Sequence, residues 1–194
     1  MKKTLNAFNT TYWFPLILIG LVISLASCGV LQDLFDGADA PASQQAIAKI
    51  GSASGSNVTG TAIFTQIGEQ ITLLVEISGA SPGLHAVHIH QYGDCSSPDG
   101  KSAGGHWNPT GTAHGMWGEG EFHLGDIGNI NVGEDGTGSI ELKTDLWEIG
   151  TGSNVDIVGR GIIVHAGADD FTSQPSGAAG ARIGCGAIEL TTRP

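Results

Sequence analysis

From Asn57 onward the chain reads as short runs in which apolar and polar residues alternate, broken by glycine-rich turns. On a β-strand successive side chains face opposite ways, so period-two alternation marks a strand with one buried face. Residues 71–77 show it plainly, with Ile71, Leu73, Val75 and Ile77 on one side. They pair by pattern with residues 58–66 across Gly68-Glu69-Gln70, a hairpin signal. Further strands are predicted at 84–91, 127–132, 138–143, 155–158, 161–165 and 187–191, the 127–132 and 138–143 pair joined by Gly133-Glu134-Asp135-Gly136-Thr137. Two stretches carry almost no alternation, 94–121 and 166–184. Loops of that length inside a compact domain are usually functional.

The region before the strands reads differently. Lys2 and Lys3 precede an apolar run over residues 13–23, and Leu25-Ala26-Ser27-Cys28 follows. This is the layout of an export signal, too short for a comfortable transmembrane helix. The tetrapeptide resembles the lipobox of bacterial lipoproteins, which implies a signal peptide over 1–27 and a lipid on Cys28. Residues 28–56 are rich in Ala, Ser, Gln, Asp and Gly and read as a flexible tether. That leaves one domain over 57–194, long enough to bury a proper core. Thirty-one glycines and seven prolines fit an all-β domain with many turns.

Charge narrows the function. The chain carries −11, and loss of residues 1–27 removes two lysines and no acid, giving −13. Without any basic cluster, nucleic acid is excluded as a partner.

The chemistry concentrates in histidines. Six of the seven lie within 44 residues, at His85, His88, His90, His106, His114 and His123, with Asp126 just beyond. His88 and His90, two apart on a strand, share a face; His85 has the opposite parity and reads as a hydrogen-bonded structural residue. Four imidazoles suit copper, whereas three nitrogens and a carboxylate suit zinc. The ligand list divides that way if one histidine is shared.

Five motifs stand in order: Gly-Leu-His-x-x-His-x-His, Gly-Gly-His-Trp-Asn-Pro, His-x-Gly-Asp-x-Gly-Asn, the Gly-Arg-x-x-x-Val-His run ending at His165, and Gly-x-Arg-x-x-Cys-Gly. Over roughly 59–190 the chain resembles the copper,zinc superoxide dismutases. The resemblance implies an eight-stranded Greek-key β-barrel with two long functional loops. It implies copper on His88, His90, His106 and His165, and zinc on His106, His114, His123 and Asp126, with His106 as the bridging imidazolate. The implied activity is conversion of two superoxide anions to oxygen and hydrogen peroxide, His106 passing on a proton and Arg182 binding the incoming anion. Asp169 matches the carboxylate that links a copper histidine, here His88, to a zinc histidine, here His114. A Cys95–Cys185 disulfide is implied too, worth about 4–5 kcal/mol in the chain-entropy model, and lipidation of Cys28 accounts for the third cysteine. The resemblance also allows a homodimer.

The second loop, 166–184, departs from many family members: it holds no Lys and no Glu, with Arg182 its single basic residue. Strong electrostatic steering of superoxide is therefore not expected. Gly93-Asp94-Cys95 looks like the bacterial branch. These features together predict an exported enzyme in the bacterial cell envelope, lipid-anchored on the periplasmic or outer-membrane side. A non-catalytic copper- or zinc-binding surface lipoprotein could use the same scaffold, but the presence of all seven nominal ligands and Arg182 favours the enzyme.

Overall fold

The computed structural model describes residues 43–191. The signal segment, Cys28 and the tether as far as residue 42 lie outside the described residues.

Eight strands follow one another: β1 Ser43–Ser52, β2 Thr59–Ile67, β3 Gln70–Ser78, β4 Gly83–His90, β5 Asp126–Val132, β6 Gly138–Thr144, β7 Gly161–His165 and β8 Arg182–Leu190. All ladders are antiparallel, in the order β5-β4-β7-β8-β1-β2-β3-β6. The connections β3 to β4 and β6 to β7 cross between non-adjacent strands, which makes the topology a Greek key. The sheet curls into a nearly closed barrel whose edge strands are β5 and β6.

The β2–β3 hairpin forms as its pattern predicts. Ile67 pairs with Gln70 across Gly68-Glu69, and Gly68 sits at φ 62°, the left-handed conformation a two-residue hairpin loop requires. Ile71, Leu73, Val75 and Ile77 all point inward and are buried. They meet Ala62 and Phe64 of β2 in a core that includes Trp147, whose indole N–H donates to the Leu124 carbonyl at 2.9 Å.

Three expectations are corrected. Residues 43–52, read as tether, form β1 in the middle of the sheet, between β8 and β2, with Ala46 and Ala48 fully buried. Residues 155–158, read as a strand, form a turn region. There the Asp156 carboxylate accepts the backbone N–H groups of Gly150 (3.0 Å), Gly152 (2.7 Å) and Val158 (2.9 Å). A short acidic side chain that captures nearby amides gives the backbone an alternative to a ladder. The third concerns β8, which begins at Arg182 instead of residue 187, so Arg182 is a strand residue and the second loop ends at Ala181.

The expected disulfide is present. Cys95 and Cys185 are bonded, with Cα atoms 5.8 Å apart, and tie the first loop to β8.

Candidate metal centre

Strand β4 delivers His88 and His90 to the outside of the barrel wall, beneath the two long loops, and a register shift between Val87 and His88 lets β5 pair with it through Asp126. His106 comes back to β4 through an isolated bridge with His90. His114 and His123 arrive on the first loop, and His165 closes β7. The seven candidate ligands are all buried.

They fall into two groups that share His106: His88, His90, His106 and His165, and His106, His114, His123 and Asp126. Within each group the ligand atoms lie within 4.8 Å of one another. Four of the imidazoles are oriented from behind. His88 Nε2–H donates to Asp169 Oδ2 (2.8 Å), His114 Nε2–H to Asp169 Oδ1 (2.9 Å), His90 Nδ1–H to the Gly104 carbonyl (3.0 Å) and His165 Nδ1–H to the Gly180 carbonyl (3.3 Å). A donor bond at one ring nitrogen leaves the lone pair on the other. Those other atoms, Nδ1 of His88 and His114 and Nε2 of His90 and His165, are buried without a hydrogen-bond partner, as are His106 Nε2 and His123 Nδ1.

Six orphaned nitrogens would be costly in a metal-free interior. They fit metal ligation, because cations at the two foci would satisfy them all. The second group adds a carboxylate: Asp126 Oδ1 lies 2.8 Å from His106 Nδ1 and 3.2 Å from His123 Nδ1, and Oδ2 lies 3.0 Å from His114 Nδ1. The His114 and His123 approaches lack hydrogen-bond geometry, as expected of ligands gathered about a common point. Four imidazoles on one side suit copper, and three imidazoles with a carboxylate on the other suit zinc.

Electrostatics keep the ligands in the right form. Burial lowers the His88 pKa to about 4, opposed by Asp169, and that of His165 to about 3, while His90 and His123 are lowered for the same first reason. These rings are neutral donors at neutral pH. Burial pushes Asp126 and Asp169 upward, but hydrogen bonds from His106 and the His123 amide to Asp126, and from His88, the Phe171 amide and His114 to Asp169, outweigh it, so both carboxyls titrate below their ordinary value.

A cleft of about 400 Å³ leads to the copper-side group, lined among others by His90, His106, Asn108, His165 and Arg182. Arg182 donates from Nη1 to the Gly100 carbonyl (2.8 Å) and from Nη2 to the Gly104 carbonyl (2.7 Å). His85 keeps its structural place: its Nδ1 lies 2.8 Å from the His165 carbonyl, and its Nε2 lies 2.8 Å from the Ser81 carbonyl and 3.2 Å from the Ser81 hydroxyl.

Two residues escaped the sequence reading. Asn129 accepts the Asp169 amide at 2.7 Å and donates to its carbonyl at 3.0 Å, and Gln174 does the same for His114, both at 2.9 Å. Asn129 closes one of the five motifs, which was its only signal; Gln174 had none.

Fold and site define a β-barrel metalloprotein with two imidazole-rich clusters joined through one histidine. The family model described as copper/zinc superoxide dismutase (SODC) matches residues 58–188. Among solved structures, a double mutant of a SOD-like protein from Bacillus subtilis is similar, with 32% identity and a TM-score of 0.66, over 74% of this chain and 96% of that one. The chain belongs to the copper/zinc superoxide dismutase family.

Proposed function

We propose that the protein dismutates superoxide to oxygen and hydrogen peroxide, with copper held by His88, His90, His106 and His165 and zinc by His106, His114, His123 and Asp126. The observation that carries this reading is the set of six buried, unpartnered ring nitrogens divided between two foci that share His106. Bound copper would supply one-electron redox chemistry, and zinc a fixed charge beside it.

The chain's own residues do the rest. Asp169 fixes the His88 and His114 rings from behind, so both Nδ1 lone pairs stay aimed at the clusters. The cleft walls restrict access to a small molecule, and the Arg182 guanidinium, held by two carbonyls, presents its remaining N–H groups to an anion there. His106 stands on the same wall, and its Nε2, which has no hydrogen-bond partner, would carry a proton for delivery to the product when it is not bound to copper.

Metal analysis beside a superoxide-decay assay tests the reading. About one copper and one zinc per chain with rapid decay is the expected result. Two zinc ions, no copper affinity and no activity would replace it with a non-catalytic metal-binding module.

The setting proposed for this enzyme is the bacterial cell envelope, anchored by lipid on Cys28. Cys28→Ser should release the protein from membranes with its specific activity unchanged. Unaltered membrane attachment would point instead to an uncleaved N-terminal anchor.

A further inference from the structure

Gln174 is exposed on the second loop, yet its carboxamide meets both backbone polar groups of a buried residue in the first loop. Its Oε1 accepts the His114 N–H at 2.9 Å, and its Nε2–H donates to the His114 carbonyl at 2.9 Å. An amide side chain here does for one residue what a neighbouring strand would do, across 60 positions of sequence. His114 is gripped a second time through its ring, where Nε2–H donates to Asp169 Oδ1 at 2.9 Å.

The two grips belong to one rigid turn. Between Asp169 and Gln174, the Asp170 carboxylate accepts the amides of Thr172 (3.0 Å) and Ser173 (2.8 Å) and the Ser173 hydroxyl (2.6 Å). Gly177 covers the turn without a side chain; a Cβ there would collide with the Asp169 carboxylate. The turn itself is anchored to β5 by Asn129, whose amide pairs with both backbone groups of Asp169. The same device is thus used twice, once to hold the turn and once for the turn to hold His114.

We propose, resting on the metal-site reading above, that Gln174 is a positioning residue for the zinc-side cluster. It touches no ligand atom and does not line the cleft, but it fixes the backbone from which the His114 ring projects. With that backbone held, Asp169 can set the ring so that Nδ1 faces His106, His123 and Asp126. Without it, the ring keeps only its Asp169 bond, and His114 can shift with the first loop.

Cobalt(II) serves as the probe, since its visible d–d bands report coordination geometry where zinc is silent. The full chain would be loaded with cobalt(II) as wild type, Gln174→Leu and Gln174→Glu. Because residue 174 is exposed, neither change opens a core cavity. In wild type a four-coordinate cobalt spectrum is expected, and Asp126→Ala should remove it. In Gln174→Leu the bands should move or lose intensity, and a chelator should extract cobalt about ten-fold faster, in the range that outer-partner substitutions produce at metal sites. Gln174→Glu keeps the acceptor for the His114 amide and loses the donor to its carbonyl, so it should fall between the two. A Gln174→Leu protein with wild-type bands and extraction rate would overturn the role of Gln174 while leaving the metal site standing. Absence of any four-coordinate cobalt spectrum in wild type would overturn both.

Discussion

His106 is the residue on which the two clusters depend, because it alone offers one ring nitrogen to each: Nδ1 beside Asp126 and Nε2 beside the copper-side imidazoles. Residues that belong to one cluster should therefore be separable. His123→Ala and Asp126→Ala should loosen zinc first and leave copper binding partly intact, read by metal content after dialysis against a chelator. Loss of copper with zinc retained would invert the assignment. The same burial gives a pH signature in metal-stripped protein. His88 and His165 have folded-state pKa values of about 4 and about 3, below an unfolded value near 6.5, so the unfolded chain binds more protons in between. Stability should accordingly fall as pH drops from about 6.5 towards 4, by on the order of 3 kcal/mol per fully buried ring. Asp126 and Asp169 are lowered as well, from the ordinary carboxylate value of about 4, so the stability they contribute is present above that value and is lost only as pH falls further. Urea midpoints taken every half pH unit would separate the two windows, and a flat profile between 6.5 and 4 would contradict the burial argument.

Strand β1 decides where the domain begins. A chain starting at Asn57 would lack a strand that is hydrogen-bonded on both sides, to β2 and β8, and would expose the inward faces those strands present. Such a chain should fail to show a cooperative thermal transition, whereas one starting at Ser43 should unfold cooperatively. Circular dichroism on the two settles it. The sequence concealed β1 because two of its three inward residues are Ala46 and Ala48, which give little hydrophobic contrast against Gln45 and Lys49. Its strand character comes from neighbours distant in sequence. The opposite error, at 155–158, arose because Val155 and Ile157 flank Asp156 in an alternating pattern, yet the segment pairs only through an isolated bridge between Asp156 and Glu148, and the Asp156 carboxylate takes the Val158 amide. The two errors cancel in number, while the eight-strand expectation itself came from the family resemblance and did not depend on them. The site was more legible than the fold around it, since metal ligands must be His or Asp at fixed spacing, while Gln174 acts through an amide that many exposed positions carry.

For the whole molecule the governing quantity is charge. The chain is −11, and −13 without residues 1–27, whereas the proposed substrate is an anion. Long-range attraction is excluded by sign, so any favourable field at the copper-side cleft must be local. Among the residues lining that cleft Arg182 is the one permanent cation, and it stands at the start of β8, a strand paired with both β7 and β1, instead of on the second loop. The Gly100 and Gly104 carbonyls use one N–H on each terminal nitrogen, and Gly104 also anchors His90, so the guanidinium and a copper-side ring are fixed from one point. Arg182→Gln should therefore leave both metals bound and slow superoxide decay about ten-fold, if the lost interaction is worth about 1.4 kcal/mol in the transition state. Salt supplies the discriminating measurement. Screening acts over about 8–10 Å at ordinary ionic strength, so the wild-type advantage over Arg182→Gln should shrink as salt rises. Equal decay rates at low salt, with full metal content in both proteins, would show that the guanidinium does not guide the anion.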